Sequence, residues 1–214
     1  KPLVLYVLLP AIVSWASLFG NVPSQAAEGA EGAEGAEAYP VSRDPGVVIE
    51  LFAADPDLVT PTGLDVDHAG RVFVIESNTH FPPEGYDRHP SDRLMVLRDL
   101  DGDGSSDKPI VFADGFVHAM SVAVRTSSDP SRPDTVLVAT RKEVIALWDD
   151  DGDLVADRRL QILRLDTKGD YPHNGLAGFA FDAMGHMYIG LGENLGASYK
   201  LIGSDKRTLS GGGE

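Results

Sequence analysis

Short alternations of apolar and polar residues dominate the chain from residue 63 onward, and two of them match position for position. Residues 63–74 read GLDVDHAGRVFV, and residues 178–189 read GFAFDAMGHMYI. Each contains an alternating stretch, an Asp-x-x-Gly turn and a second alternating stretch. Alternation with a period of two is typical of strands that bury one face, and the turn residues favour a tight hairpin. Both segments are therefore predicted to be antiparallel hairpins.

A second strand–turn–strand pattern also occurs twice, and its two turns start 50 residues apart, at Asp99 and Asp149. Strands are predicted at residues 92–98, 109–112, 121–124, 135–138, 143–148 and 160–163. Four short antiparallel strands in a unit of about 40–50 residues are typical of a β-propeller blade. The sequence thus predicts an all-β fold, a partial β-propeller of about two and a half four-stranded antiparallel blades. A β-sandwich is the alternative, but it does not explain the fixed spacing of the turns.

The N-terminal region differs from the rest of the chain. Residues 3–19 are apolar and uncharged, follow Lys1, and precede the small-residue pattern Ser24-Gln25-Ala26. This order predicts a signal peptide over residues 1–26, and so an exported, periplasmic protein. A retained membrane anchor at residues 3–19 is the alternative, although this stretch is short for a span and contains Pro10.

An Ala-Glu-Gly repeat at residues 27–40 predicts a disordered linker, because tiny and acidic residues bury too little surface to form a core. The propeller is then expected over residues 41–214. The start at Lys1 and the Gly-rich ending at residues 210–214 suggest a fragment of a longer protein. Two and a half blades leave a channel open to water, so the fragment alone is expected to be inactive.

Charge and cysteine content narrow the range of functions. The formal net charge of −15 argues against binding to nucleic acid, which requires clustered Lys and Arg. The chain contains no cysteine, so disulfides, thiolate metal sites and covalent haem attachment within it are excluded.

The two recurrent turns are rich in aspartate. Carboxylates occupy relative positions 1, 3, 5 and 9 of each turn, as in the first part of a calcium-binding loop. The candidate metal ligands are Asp99, Asp101, Asp103 and Asp107 in the first turn and Asp149, Asp151, Asp153 and Asp157 in the second. Ile110 stands where an EF-hand would place its glutamate, and Leu154 replaces the glycine at position 6 of the second turn. Structural calcium is one interpretation, and plain turn chemistry of Asp and Gly is the other.

His173 is the strongest candidate for catalysis. It lies in a polar, Gly-rich stretch that leads into the predicted inner strand of the third unit, where a propeller would open its central channel. Histidine can accept a substrate proton near neutral pH. His118 precedes the inner strand of the second unit in a similar way, but a structural role is favoured there. The other histidines, His68, His80, His89 and His186, are interpreted as turn or loop residues.

The stretch from His173 to Asn194 resembles the soluble quinoprotein glucose and sorbosone dehydrogenases. Together with the acidic turns and the exported N-terminus, it is similar to membrane-bound dehydrogenase proteins of Planctomycetes and Verrucomicrobia, which are propellers often joined to a haem-binding domain. The resemblance implies pyrroloquinoline quinone as cofactor, His173 as general base, a sugar or alcohol substrate, and electron transfer to a cytochrome c domain or protein. We expect Asn174, Lys168 and Arg141 to contact the cofactor, since a trianionic quinone needs cations nearby.

Two other functions remain open. The chain could belong to a non-catalytic extracytoplasmic propeller that binds carbohydrate or protein. It could also belong to a calcium-dependent propeller hydrolase, whose channel ligands would come from Glu76, Asn78, Asn174 and Glu193. Cations in later channel-facing loops would favour the dehydrogenase.

Overall fold

The computed structural model describes residues 3–9 as backbone, and residues 40–169, 175–192, 194 and 196–213 with their side chains. These residues form strands and turns, and no helix occurs among them. The strands are β1 (Leu3–Leu9), β2 (Val47–Ala54), β3 (Pro61–Val66), β4 (Val72–Glu76), β5 (Asp92–Leu97), β6 (Ile110–Phe116), β7 (Ala119–Arg125), β8 (Thr135–Thr140), β9 (Glu143–Trp148), β10 (Arg158–Thr167), β11 (Leu176–Phe181), β12 (Met187–Leu191), β13 (Tyr199–Gly203) and β14 (Thr208–Gly211). The predicted all-β class is confirmed.

The first sheet has the order β3-β4-β5-β6, and all its pairs are antiparallel. Its inner hairpin follows the predicted alternation, with Leu64 opposite Val74 and Val66 opposite Val72. The central strands β4 and β5 are almost wholly buried, because both of their faces are covered. This sheet matches the four-stranded antiparallel unit that the sequence predicts.

The second sheet contains six strands rather than the predicted four. The expected antiparallel strands β7, β8, β9 and β10 are present, and the hairpin β13-β14 continues the sheet beyond β10. Strand β10 is long, so its second half, from Leu163 to Thr167, offers an edge that pairs with Tyr199–Gly203. The prediction missed this because pairing between distant strands leaves no local pattern.

Two smaller sheets complete the described fold. Strands β11 and β12 form the predicted third hairpin. Strand β1 pairs in parallel with β2, and the sequence predicted neither of these strands. Apart from β1 and Pro40, residues of the predicted signal peptide and linker lie outside the part of the chain that the structure describes, and both assignments remain predictions. Within that part, no helix has the length and apolar character needed to cross a membrane.

The sheets stack face to face on apolar cores. The largest core lies between the first and second sheets and includes Phe73, Leu94, Phe116, Val138 and Leu147. A second core joins the second sheet to the β11-β12 hairpin through residues such as Ala146 and Leu176. On the other face of the first sheet, Phe52 of β2 and Leu58 cover Val74 and Met95.

The innermost strands β3, β7 and β11 run side by side in the same direction. Thr62 on β3 lies near Ala119 on β7, with its Oγ1 3.5 Å from the Ala119 carbonyl oxygen, and Asp65 Oδ2 accepts the Val124 N–H at 2.8 Å. Ser121, also on β7, contacts β11, since its Oγ accepts the Gly178 N–H at 2.8 Å. Because the three strands begin at the same end, the loops before them converge there. The described sheets do not close into a ring.

Candidate functional site

The candidate residues lie at two opposite ends of the sheets. We call the end where β3, β7 and β11 begin the histidine end, because the loops carrying His80 and His118 lie there. We call the opposite end the acidic-turn end, because it carries the β5–β6 turn (residues 99–107) and the β9–β10 turn (residues 149–157).

The first acidic turn brings three carboxylates together. One oxygen from each of Asp99, Asp101 and Asp107 lies within 4.8 Å of the others. Asp99 also fixes the turn, since its Oδ1 accepts the Gly102 N–H at 2.7 Å and its Oδ2 accepts the Gly104 N–H at 3.0 Å. Asp103, the fourth predicted ligand, lies outside this trio, and its Oδ1 accepts the Ser105 N–H at 2.8 Å.

The second acidic turn also brings three carboxylates together, but its third member is the fifth residue of the turn rather than the ninth. Asp149, Asp151 and Asp153 form the trio, and Asp149 accepts backbone N–H groups with both of its oxygens, as Asp99 does. Asp157 lies outside the trio, with its Oδ2 accepting the Asp150 N–H at 2.7 Å. Both trios offer the hard oxygen ligands that calcium prefers, so both turns remain candidate calcium sites.

Leu154 explains how the second turn keeps its shape without the glycine of the first. Its φ of 69° lies in the same left-handed region as Gly104, at 89°. That conformation costs a non-glycine residue about 1–2 kcal/mol. The Leu154 side chain is 5% exposed and packs into the core between the first and second sheets, and burial of a leucine contributes about 1.5–3 kcal/mol. Packing therefore offsets the backbone strain.

A backbone link recurs at the histidine end before each inner strand. Thr60, His118 and Gly175 all have positive φ, at 49°, 53° and 120°. Their carbonyl oxygens accept the N–H groups of Ser77, Arg141 and Gly192, in that order, at 3.0, 3.0 and 2.9 Å. These positions lie 58 and 57 residues apart, so the repeat of the inner strands is longer than the spacing of 50 between the acidic turns.

The first sheet holds the backbone of His118 in place. Thr79 Oγ1 accepts the His118 N–H at 2.8 Å, and Asp92 Oδ2 accepts the Ala119 N–H at 2.7 Å. Asp92 is fully buried and also accepts the N–H groups of Asn78 and Thr79. These donors satisfy the hydrogen-bonding needs of the buried carboxyl group, which in turn fixes the groups around it. Two adjacent sheets are thus joined at His118.

The His118 ring lies against Arg141, with His118 Nδ1 3.3 Å from Arg141 Nη1. A guanidinium has no acceptor, so Nδ1 must accept this hydrogen bond and the neutral ring carries its proton on Nε2. Burial, followed by the positive charge of Arg141, lowers the pKa of His118 below its usual value. At neutral pH, His118 is therefore a hydrogen-bond donor through Nε2 rather than a proton acceptor.

A cleft of about 470 Å³, which we call the histidine cleft, opens beside this pair. Arg141 is 8% exposed, Lys142 is exposed, and the Arg159 guanidinium stacks over the Phe116 ring at 4.3 Å. The lining residues are Gly115, Phe116, Val117, His118, Thr140, Arg141, Lys142, Glu143 and Arg159. Three cations and one carboxylate favour a ligand with negative charge or carbonyl oxygens.

The predicted cofactor ligands are only partly brought together. Arg141 lines the histidine cleft, whereas Lys168 lines a separate recess of about 740 Å³ beside Tyr199 and Lys200. The predicted base His173 and its neighbour Asn174 lie outside the described residues. Gly175, which follows them, lies so close to the Arg141 carbonyl that a Cβ there would be 2.1 Å from its oxygen. The Leu176 N–H donates to the same oxygen at 3.0 Å, so the start of β11 is fixed to the Arg141 backbone.

Two of the residues considered as calcium ligands of a hydrolase, Glu76 and Asn78, bind other protein groups. Glu76 is 1% exposed, accepts the Val59 N–H at 3.0 Å, and forms an ion pair with Arg93. Asn78 Oδ1 accepts the Tyr86 hydroxyl. These bonds do not favour Glu76 and Asn78 as channel ligands for calcium, and Asn174 and Glu193 lie outside the described residues.

Three other histidines pair with carboxylates at turns or loops, which suits their structural interpretation. His68 Nδ1 lies 3.4 Å from Asp134, His89 Nε2 lies 3.9 Å from Asp114, and His186 Nδ1 lies 2.7 Å from Asp182. The hydrogen bond from His186 lowers the pKa of Asp182. The contact between His118 and Arg141 was not predicted from the sequence, since 23 residues separate them and they meet where Ala119 of β7 pairs with Thr140 of β8.

Fold and site together define an all-β protein built of stacked antiparallel sheets, with a cationic cleft at one end and acidic turns at the other. A family model described as "Domain of unknown function (DUF7133)" matches residues 37–212, and the chain belongs to that family. No curated protein and no solved structure matches the chain.

Proposed function

We propose that the chain is the first part of an exported, propeller-type quinoprotein dehydrogenase that oxidises a sugar or alcohol and passes electrons to a cytochrome. The observation that carries the proposal is the position of Arg141. It is nearly buried in the histidine cleft, contacts His118, and is fixed through its carbonyl to Leu176 at the start of β11. Arg141 is also one of the cations that the resemblance to quinoprotein dehydrogenases leads us to expect near the cofactor.

The ring architecture is supported by the stacking and direction of the inner strands. Leu64 and Val66 are 54% and 49% exposed on the face of the first sheet that points away from the second. Exposed apolar positions on a sheet face favour coverage by another layer. Further blades would supply it.

The donor chemistry of the histidine cleft fits an anionic quinone. Arg141, Lys142 and Arg159 would hold its carboxylates, and His118 would donate through Nε2–H to a carbonyl oxygen. When bound, such a quinone would accept a hydride, which carries two electrons, from the substrate carbon. His173 is proposed as the base that removes the hydroxyl proton, and Asn174 and Lys168 as further cofactor contacts. Structural calcium is proposed for the acidic turns.

One observation favours a non-catalytic binding propeller as the second candidate. Because Arg141 occupies Nδ1 of His118 and the proton sits on Nε2, this histidine cannot act as a base in the described arrangement. Without His173 as base, the histidine cleft would bind an anionic ligand and do no chemistry.

The test uses the intact protein, incubated with pyrroloquinoline quinone and calcium. We expect saturable binding in equilibrium dialysis and dye-coupled oxidation of sugars or alcohols. His173→Ala should cut turnover by roughly 10²–10⁴-fold while leaving cofactor binding intact. Lys142→Gln, an exposed change in the histidine cleft, should weaken cofactor binding, whereas Arg164→Gln removes the same charge outside the cleft and should not.

The alternative outcomes separate the candidates. Absence of cofactor binding by the intact wild-type protein would remove the dehydrogenase and leave the binding propeller. Undiminished turnover in His173→Ala would keep the enzyme and discard His173 as its base.

A further inference from the structure

A second cationic cleft lies at the acidic-turn end of the second sheet, far along β7 from the histidine cleft. It has a volume of about 230 Å³ and opens between the β7–β8 loop (residues 126–134) and Trp148. We call it the arginine cleft. Its lining residues are Arg125, Thr126, Ser127, Ser128, Arg132, Pro133, Thr135, Trp148 and Arg158.

No carboxylate is among these lining residues, although the whole chain has a net charge of −15. Arg158 donates to Asp150, with its Nη2 2.7 Å from Oδ1, and stacks over the Trp148 ring at 4.7 Å. Arg125 and Arg132 form no ion pair with any carboxylate that the structure describes. The pKa of Asp129 is lowered mainly by hydrogen bonds from Ser131 and to a smaller extent by the charge of Arg132. Two guanidinium groups in one cleft thus lack a directly paired carboxylate among the described residues.

The arginines are placed by contacts that leave their donors available. The Arg125 guanidinium lies 5.9 Å from the centre of the Phe181 ring, a contact with a π face that uses no N–H donor. Arg132 is carried on a loop with several internal hydrogen bonds. The backbone N–H of Arg132 donates to the Asp129 carbonyl at 3.0 Å, and the backbone N–H of Ser127 donates to Asp134 Oδ1 at 2.8 Å.

Hydroxyl groups complete the lining with further donors. Thr135 Oγ1 accepts the Trp148 Nε1–H at 3.0 Å, which leaves the hydroxyl hydrogen of Thr135 free to donate. Thr126 and Ser128 line the same cleft and are exposed. The cleft thus presents guanidinium forks and hydroxyl donors, and among its three arginines Arg158 is the one paired with a described carboxylate, Asp150.

We propose that the arginine cleft binds a tetrahedral oxyanion, the sulfate or phosphate ester group of a small molecule. Planar guanidinium forks donate paired hydrogen bonds to such oxygens. Distant carboxylates do not cancel this attraction, because salt at 0.1 M screens exposed charges beyond about 10 Å. The site is independent of the proposed dehydrogenase, since it lies at the other end of the sheets and shares no residue with the histidine cleft.

Isothermal titration calorimetry on the full chain at 0.15 M salt tests the site. The probes are inorganic sulfate, inorganic phosphate, glucose 6-sulfate and glucose 6-phosphate, with glucose as the uncharged control. We expect saturable binding of the esters at one site and no binding of glucose. The tighter of the two ester series identifies which oxyanion the cleft takes. In a Trp15→Phe background, Trp148 is the sole tryptophan, so its emission should change with the same dissociation constant.

Substitutions locate the binding. Arg125→Gln and Arg132→Gln should each weaken ester binding at least tenfold, because each removes a guanidinium that is not directly paired with a described carboxylate. Arg43→Gln removes the same charge from an exposed position outside the cleft and should change the dissociation constant less than twofold. Equal losses in all three variants would mean a non-specific charge effect and overturn the site. So would an absence of saturable binding in the wild type, or equal binding of glucose.

Discussion

At the residue scale, single residues in left-handed backbone conformations direct recurrent backbone hydrogen bonds. His118 is one of them, and its conformation aims its own carbonyl at the Arg141 N–H. Thr60 has the same conformation and the same link in the first sheet, so the strain at His118 belongs to the repeat rather than to catalysis. The particular feature of His118 is its ring, held next to a nearly buried arginine.

The lowered pKa of His118 predicts a pH-dependent stability. Its folded pKa is below the unfolded value of about 6.5, so the unfolded state binds the proton more readily. The stabilisation is present above pH 6.5 and is lost as the pH falls through the folded pKa. Urea unfolding at pH 8 and at pH 5 tests this. Between pH 8 and pH 5, the free energy of unfolding should fall less for His118→Asn than for the wild type. Asparagine is chosen because it tolerates positive φ. Identical losses in the two proteins would contradict the assignment.

At the element scale, the two acidic turns show one hydrogen-bonding pattern built from different residues. Asp99 and Asp149 bind the backbone of their turns in the same way, and Gly104 and Leu154 share a conformation. In each turn three carboxylates converge, and like charges about 4 Å apart repel by about 1–4 kcal/mol, depending on the local dielectric. A bound cation would relieve that repulsion.

We therefore expect calcium to raise the melting temperature of the intact protein, and chelator to lower it again. Calorimetry of the wild type, Asp101→Asn and Asp87→Asn, each with calcium and with chelator, provides the test. Asp101→Asn removes one carboxylate of the first trio and should reduce the calcium-dependent shift. Asp87→Asn removes an exposed carboxylate outside both turns and serves as the matched control. A transition unchanged by calcium in the wild type would leave only the turn-chemistry explanation.

At the scale of the whole molecule, stability comes from sheets packed face to face. The core between the first and second sheets combines aromatic side chains of the first sheet with branched side chains of both. The rings of Phe73 and Phe112, both from the first sheet, meet edge to face at 5.2 Å. The stacking also places the loops before β7 and β11, with the histidine cleft, at one end and the acidic turns at the other.

Leu147 tests the stacking. It is fully buried in the core between the first two sheets, so Leu147→Ala should lower the free energy of unfolding by about 2–5 kcal/mol. Leu209→Ala, at a side chain that is 64% exposed, should change it by less than about 0.5 kcal/mol. Urea unfolding measures both. Similar small effects of the two substitutions would show that the sheets do not pack as described.

The sequence by itself determined the elements whose patterns are local. Alternation and Asp-Gly turns located the hairpins β3-β4 and β11-β12 and the strands on either side of the acidic turns, because strand period and turn conformation depend on neighbouring residues. The resemblance to quinoprotein dehydrogenases added Arg141 as one of several candidate cations.

Only the tertiary structure decided which distant elements meet. In the structure, β13 pairs with the edge of β10, and Phe52 of β2 packs on the first sheet. Arg141 lies beside His118, in a different cavity from Lys168. The local sequence of a strand edge or a loop end does not show which distant segment it will contact. Such pairings depend on the summed burial of whole faces and on backbone groups that find donors or acceptors only after the sheets have packed.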